Sequence, residues 1–294
     1  MKTALTLLAA ALSLAAASAV AAPLFADSHT VVTPRFSDEI VGKGPDLVFI
    51  PGLASSRETW KATAERLKGH YRLHLIQVAG FAGEPARANA EGPVLVPTAE
   101  AIDAYIVAQH LAPATVIGHS LGGTMTLWLA ENRPQDLRKA LVVDALPWVA
   151  QVFISPNVTA DQAKAAGEAM RVSPPMPEAA RSQMIDNMVS GPADRAMVLA
   201  WGKASDTKVV SNALADDMET DLRAGLGAVK TPITLLYPDN LAAGMPAGAM
   251  DGFYHAAFAA ASTVKLERVD SSRHFIMLDQ PAAFAAALDA FLAN

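Results

Sequence analysis

From Asp46 onward, short apolar runs alternate with longer stretches in which apolar residues recur every three or four positions. The short runs predict strands, and the longer stretches predict helices that bury one face. The predicted strands are 47–50, 71–78, 114–117, 139–143, 233–237 and 264–269, and the predicted helices are 58–68, 98–109 with Thr98 as its cap, 121–132 and 281–292. This alternation is typical of an α/β fold, a mostly parallel central sheet flanked by helices.

The alternation stops between residues 147 and 230. Helix-like segments rich in methionine take its place, with prolines between them. We interpret this region as a helical cap inserted into the core. The predicted domain organisation is a signal peptide at 1–21, the first part of the core at 22–146, the cap at 147–230 and the second part of the core at 231–294.

The first residues have the layout of a secretory signal. Lys2 precedes an apolar run from Ala4 to Ala17, and small residues follow, which suits cleavage after Ala21. The run is shorter than the roughly 20 residues that span a bilayer, so we expect no stable membrane insertion. The sequence therefore predicts export to the periplasm or the medium.

Composition narrows the choice of partners. The 294 residues include 23 Lys and Arg against 29 Asp and Glu, which gives a formal net charge of −6. This sign argues against nucleic acid and anionic lipid as partners, so we expect a small-molecule substrate. The chain has no cysteine, and thus no disulfide or thiol chemistry. The oligomeric state stays open at this stage.

A candidate nucleophile lies between a predicted strand and a predicted helix, in the stretch Gly118-His119-Ser120-Leu121-Gly122. A serine hydroxyl is a weak nucleophile, so it needs a nearby base and donors that stabilise an oxyanion. A sharp strand-to-helix turn can expose the hydroxyl. Gly118 and Gly122 remove the side chains that would collide in such a turn.

Three stretches of this chain resemble the α/β-hydrolase superfamily: 48–53 resembles its oxyanion turn, 118–123 its nucleophile elbow and 274–281 its histidine loop. The resemblance implies a serine hydrolase of the esterase or lipase type with a helical cap. It also implies an oxyanion hole built from the backbone N–H groups of Leu53 and Leu121. Pro51 stands where the family often has histidine, but Gly52 still permits the turn.

The same resemblance makes His274 the catalytic base. His274 follows a predicted strand and the segment 270–273, and it precedes the terminal helix, where this fold delivers its base to the serine. His119, next to the nucleophile, is expected to be structural.

The catalytic acid has two candidates. Family members usually place it a few residues after the strand that here ends at Tyr237, and alignment puts Asn240 or Leu241 near that position. Asp239 is one or two residues early, yet a carboxylate there could still accept the imidazole N–H. We prefer Asp239. The alternative is Asp144, which ends the preceding predicted strand and could instead be a structural capping residue.

Phe81 and Trp148 are the candidate substrate contacts. Phe81 follows Gly80 in a loop that borders the site in this fold, and Trp148 opens the predicted cap. Each has a simpler alternative, because Phe81 could merely seal its loop, and apolar cap residues could merely attach the cap to the core. Gln77 stands where many family members have an aspartate, which changes a supporting interaction rather than the chemistry.

The sequence contains no metal-binding or nucleotide-binding motif, so we expect no metal and no cofactor. The leading hypothesis is an esterase, of class EC 3.1.1, that cleaves esters of small or medium apolar acyl groups through an acyl-enzyme at Ser120. Hydrolysis of amides, lactones or C–C bonds and acyl transfer use the same machinery and remain alternatives. A catalytically silent protein that binds a small ligand is a further alternative.

Overall fold

The computed structural model describes residues 21–239, 246 and 248–293. Its central feature is a sheet of eight described strands in the order β1-β2-β4-β3-β5-β6-β7-β8. The strands are β1 His29–Val32, β2 Phe36–Gly42, β3 Asp46–Ile50, β4 Arg72–Val78, β5 Ala114–His119, β6 Leu137–Val143, β7 Ile233–Pro238 and β8 Val264–Val269. β1 and β2 pair antiparallel, β2 pairs antiparallel with β4, and the remaining pairs are parallel. The predicted fold class is therefore confirmed.

Helices connect the parallel strands and cover the sheet. They are α1 Lys61–Leu67, α2 Leu95–Ala108, α3 Leu121–Asn132, α4 Ala150–Phe153, α5 Ala160–Val172, α6 Glu178–Met188, α7 Pro192–Ala204, α8 Thr207–Glu219, α9 Asp251–Ala257, α10 Ile276–Asp279 and α11 Pro281–Ala293. Five of them, α4 to α8, lie between β6 and β7, in the region where the sequence predicts a helical cap.

The central strands are apolar because both of their faces are covered. Successive side chains of a strand point to opposite faces, so Val116 of β5 packs in one core cluster and Ile117 in the other. Val142 and Val143 of β6 divide in the same way. Continuous burial explains why these strands read as unbroken apolar runs rather than as alternating ones.

The start of α2 differs from the sequence prediction. The helix begins at Leu95 rather than after Thr98, and Thr98 is buried within its first turn. The carboxylate of Asp216 in α8 accepts hydrogen bonds from the N–H groups of Val94 and Leu95. Here a side chain from a distant helix satisfies the donors that a local capping residue would otherwise satisfy.

The predicted signal peptide lies outside the described residues except for Ala21, so it stays a prediction. Within the described part of the chain, no helix is both long and apolar enough to span a bilayer. The segment that follows Ala21 packs onto the core, because Phe25 is buried and Glu39 accepts hydrogen bonds from the Leu24 and Phe25 N–H groups.

Candidate active site

Ser120 occupies the turn between β5 and α3. Its backbone has φ 53° and ψ −124°, a conformation that a residue with a side chain adopts only under strain. The surrounding structure holds it there: the Ser120 N–H donates to the Val143 carbonyl at 3.0 Å, and the Thr124 N–H donates to the Ser120 carbonyl at 2.9 Å. Such a turn lifts the hydroxyl away from the sheet and exposes it at the carboxyl edge of the strands.

Glycines make this turn possible. A Cβ added at Gly122 would lie 2.6 Å from the Pro51 carbonyl oxygen and closer still to that of Ile50, and a Cβ at Gly118 would collide with the Gly122 carbonyl. A Cβ at Gly52 would lie 3.0 Å from the Ser120 Cβ. The turn that begins at Gly52 is therefore packed directly against the nucleophile elbow.

The predicted oxyanion donors lie on these two segments. Leu121 is the first residue of α3, where backbone N–H groups lack partners within the helix and the helix dipole favours an anion. Leu53 follows Gly52, so it belongs to the turn that is packed on Ser120.

Gln77 fixes the turn around Leu53 to the neighbouring loop. Its side-chain oxygen accepts from the Arg57 N–H at 2.9 Å, and its amide donates to the carbonyls of Ser55 at 3.2 Å and Phe81 at 3.1 Å. An aspartate at this position could not donate to two carbonyls. Gln77 therefore joins the turn at Leu53 to the loop that carries Phe81, which is a supporting interaction that an aspartate could not make in full.

His274 pairs with Asp144. The imidazole Nδ1 lies 2.6 Å from Asp144 Oδ2, in a pair in which the carboxylate is almost fully buried. Asp144 directly follows β6, takes a positive φ of 46° and donates its N–H to the Leu236 carbonyl at 2.8 Å. The strained turn directs the side chain across the carboxyl edge of the sheet towards His274.

The preferred assignment of Asp239 does not match this geometry. Asp239 is buried just after β7, one strand farther from β5 than Asp144, and it is Asp144 that meets His274 Nδ1. The acid position predicted from the family spacing, at Asn240 or Leu241, lies outside the described residues. The alternative candidate is thus the one that the structure brings to the histidine.

Tyr254 is a functional candidate that the sequence reasoning missed. Its hydroxyl donates to Asp144 Oδ1, the oxygen opposite the one that faces His274. The side chain is fully buried in α9, and its ring stacks on Tyr237 with centroids 4.6 Å apart. Burial, with the neighbouring Asp144 charge, raises the pKa of Tyr254 well above its ordinary value, so the phenol remains a donor. No local motif around Tyr254 signals this role.

His119 links the elbow to the histidine loop. Its Nε2 lies 3.0 Å from the His274 carbonyl oxygen, to which it donates, and its ring centroid lies 4.6 Å from that of His274. Burial, with a smaller effect of His274, lowers the pKa of His119 well below its ordinary value, so the ring is neutral. These contacts bring the base next to the elbow. In the part of the chain that the structure describes, Ser120 and His274 share no direct hydrogen bond. In enzymes without bound substrate, the hydrogen bond between nucleophile and base is often long and forms fully only when substrate binds.

A family model matches most of the chain. Residues 47–287 match the model described as the alpha/beta hydrolase family. The chain belongs to the alpha/beta hydrolase family. The matched range includes the helices α4 to α8 together with Ser120, Asp144 and His274.

Curated relatives of this alpha/beta hydrolase carry esterase names. It is 26% identical over 226 residues to the pimeloyl-[acyl-carrier protein] methyl ester esterase of Nitrosomonas europaea, a match that covers 72% of this chain and 83% of that protein. It is 35% identical over 111 residues to the same-named enzyme of Aeromonas salmonicida, where the match covers 38% of this chain and spans only 42% of the relative. The esterase names are those of the relatives, and this chain spans less than half of the Aeromonas salmonicida enzyme.

Solved structures share the fold of this alpha/beta hydrolase. A hydrolase from Pseudomonas aeruginosa superposes with a TM-score of 0.72 at 20% identity, over 92% of this chain and 99% of that one. A thermophilic esterase from Thermogutta terrifontis superposes with a TM-score of 0.70 at 17% identity, over 91% and 98% of the two chains. At these identities the likeness describes the fold alone.

Phe81 and Trp148, the predicted substrate contacts, are both almost fully buried. Phe81 is 0% exposed and packs in the core, so the simpler prediction, that it seals its loop, matches the structure. Trp148 is 1% exposed, packs with Val158 and Met218 within the cap region, and donates to the Met218 carbonyl at 2.7 Å. Both rings therefore take part in packing, and a role in contacting substrate stays a prediction.

Among the residues that the structure describes, no group of three or more metal-ligating side chains could hold a metal ion.

Proposed function

We propose that this protein is a serine esterase that forms an acyl-enzyme at Ser120, with His274 as the base and Asp144 as the acid. The observation that carries the proposal is the 2.6 Å contact between His274 Nδ1 and a buried Asp144 oxygen, beside a strained serine at a strand-to-helix turn. A buried carboxylate at Nδ1 fixes the ring so that Nε2 is free to accept a proton.

The proposed reaction has two steps. His274 takes the Ser120 proton as the hydroxyl oxygen attacks the ester carbonyl, and the N–H groups of Leu53 and Leu121 stabilise the resulting oxyanion. Collapse breaks the ester C–O bond, and the imidazolium returns its proton to the leaving alcohol. Water then attacks the acyl-enzyme with the same assistance and releases the acid and the free serine. Asp144 stabilises the imidazolium in both steps.

The proposed substrates are esters of small or medium apolar acyl groups. The relatives are named as esterases that act on a methyl ester, which supports ester cleavage but concerns their own substrates. The net charge of −6 disfavours strongly anionic substrates.

Hydrolysis of p-nitrophenyl esters of increasing acyl length tests this function. The wild type should hydrolyse the acetate to octanoate esters, and Ser120→Ala should lose about 10³-fold or more in kcat, since removing a triad member leaves only residual catalysis. A folded wild type that hydrolyses none of these esters would contradict the proposal.

We also propose that the protein is exported, on the sequence layout of residues 1–21. Expression with the natural N-terminus, followed by mass spectrometry of the periplasmic fraction, should give a mature chain that begins at Ala22. An unprocessed chain confined to the cytoplasm would overturn this assignment.

A further inference from the structure

A buried carboxylate holds the chain just after the predicted signal peptide. Glu39 of β2 is 0% exposed and accepts hydrogen bonds from the N–H groups of Leu24 at 2.7 Å and Phe25 at 2.9 Å. It also accepts a hydrogen bond from the Ser28 hydroxyl at 2.7 Å. The Phe25 ring is itself buried in the core. The segment that would begin the mature protein is therefore held in place from Leu24 onward.

A second buried carboxylate, Glu84, binds the chain three residues earlier. The side chain of Glu84 is 0% exposed. Its Oε2 accepts a hydrogen bond from the Ala21 N–H at 2.8 Å, and its Oε1 accepts one from Arg87 at 2.7 Å. Each oxygen of Glu84 therefore has a donor as long as Ala21 is part of the chain.

Removal of the signal peptide would change the donor at Glu84. The predicted cleavage follows Ala21, so the N–H group that Oε2 accepts would leave with the signal peptide. A buried carboxylate oxygen that loses its donor is costly. The α-ammonium group created on Ala22 lies only one residue further along the chain, a spacing of about 3.8 Å between Cα atoms. The contacts of Leu24 with Glu39 keep this new terminus close to Glu84.

We propose that Glu84 is the binding site for the α-ammonium group of the mature chain. The ammonium group would supply the hydrogen bond that Oε2 loses with Ala21. It would also add a full positive charge, which strengthens a bond to a buried carboxylate. This inference rests on the proposed cleavage after Ala21 and goes beyond it, because it states where the new terminus binds.

The loop that carries Glu84 supports the candidate active site. Gln77, which also holds the candidate oxyanion turn, donates from its amide to the Phe81 carbonyl of this loop at 3.1 Å. On the other side, the Ala82 N–H donates to the Ser205 hydroxyl at the end of α7 at 2.8 Å. The bound terminus would therefore hold a loop that joins the oxyanion turn to the helices between β6 and β7.

Acetylation of the terminal amine tests the inference. The chain that begins at Ala22 is prepared with a free amine and with that amine acetylated, in the wild type and in Glu84→Gln. Acetylation should lower the midpoint of thermal unfolding of the wild type by about 3 °C or more, because a hydrogen bond between charged groups is lost. In Glu84→Gln the two forms should unfold within about 1 °C of each other. Glu91→Gln, the matched control, removes an exposed carboxylate that pairs with Lys208 at 2.6 Å and should keep the full effect of acetylation.

The outcomes separate this inference from the proposals above. A wild type whose midpoint does not fall on acetylation, or an equal fall in a folded Glu84→Gln variant, would overturn the binding of the terminus and leave the cleavage and esterase proposals standing. If the variant does not fold, the reactivity of the Ala22 amine decides. In the folded wild type this amine should react with an acylating reagent about 10-fold more slowly than in urea, and equal rates would overturn the inference. A mature chain that begins elsewhere than at Ala22 would instead contradict the predicted cleavage.

Discussion

Tyr254 and His274 bind opposite oxygens of the same carboxylate. The Tyr254 hydroxyl donates to Asp144 Oδ1, and His274 Nδ1 lies 2.6 Å from Oδ2. With its backbone N–H also bonded to Leu236, Asp144 is held at three points. The carboxylate therefore has little freedom to rotate away from the imidazole.

The first prediction concerns Tyr254→Phe. Loss of the hydroxyl frees Oδ1 of Asp144, so kcat for p-nitrophenyl butyrate should fall about 10-fold, the size of a hydrogen bond to a charged group, with KM nearly unchanged. Tyr237→Phe is the matched control, because its hydroxyl bonds to Asp251 at 3.0 Å and not to Asp144. Equal kinetics for the two variants would contradict a positioning role of Tyr254.

The second prediction separates the two candidate acids. Asp144→Asn should lower kcat by about 10³- to 10⁴-fold, because the amide cannot stabilise the imidazolium in the same way. Asp239→Asn should stay within about 10-fold of the wild type, measured on the same ester. If Asp239→Asn were the inactive variant, the acid would have to be reassigned.

The third prediction concerns the glycine at the elbow. In Gly122→Ala the new methyl group meets backbone carbonyls of Ile50 and Pro51, which cannot move aside as a side-chain tip can. Thermal unfolding should show a loss of about 1–3 kcal/mol, the usual cost of overpacking. Gly69→Ala, where a Cβ would have nothing within 4 Å, is the control and should change the midpoint little. A midpoint for Gly122→Ala as high as that of the control would show that the elbow is not this tightly packed.

The fourth prediction is a pH dependence of stability. Burial raises the pKa of Asp217, in α8, from the ordinary 3.8 to about 7, so between these values the folded state keeps a proton that the unfolded chain has lost. Stability from this group is therefore lost as pH rises towards 7, by up to about 1.4 kcal/mol per pH unit. The stability of Asp217→Asn relative to the wild type should rise from pH 4 to 7, as measured by urea unfolding. A constant difference across this range would show that Asp217 does not keep its proton on folding.

The sequence predicted the parts of the fold and site that depend on local pattern. Apolar runs located the parallel strands, and glycines two residues either side of Ser120 marked the turn that the structure shows. Local pattern did not choose between Asp144 and Asp239, because both follow buried strands and the choice depends on which strand end faces the histidine loop. Tyr254 reaches the site from α9, through a hydrogen bond to Asp144, a residue 110 positions earlier in the chain. Such tertiary contacts leave no periodic signal in a single sequence.

The start of α2 illustrates the same limit. Thr98 has the chemistry of a helix cap, but the helix begins three residues before it, at Leu95. Asp216, more than 100 residues later in the chain, accepts hydrogen bonds from the N–H groups of Val94 and Leu95. The preference of threonine for such positions is a weak local energy, which a buried carboxylate from another helix can override.

Covalent labelling tests the central claim, that Ser120 is an activated nucleophile. The folded wild type is incubated with a fluorophosphonate and its intact mass and peptide map are measured. One equivalent should attach to Ser120, Asp144→Asn should react much more slowly, and Ser120→Ala should not react. A folded wild type that stays unlabelled, or a Ser120→Ala variant that is labelled to the same extent, would contradict the account.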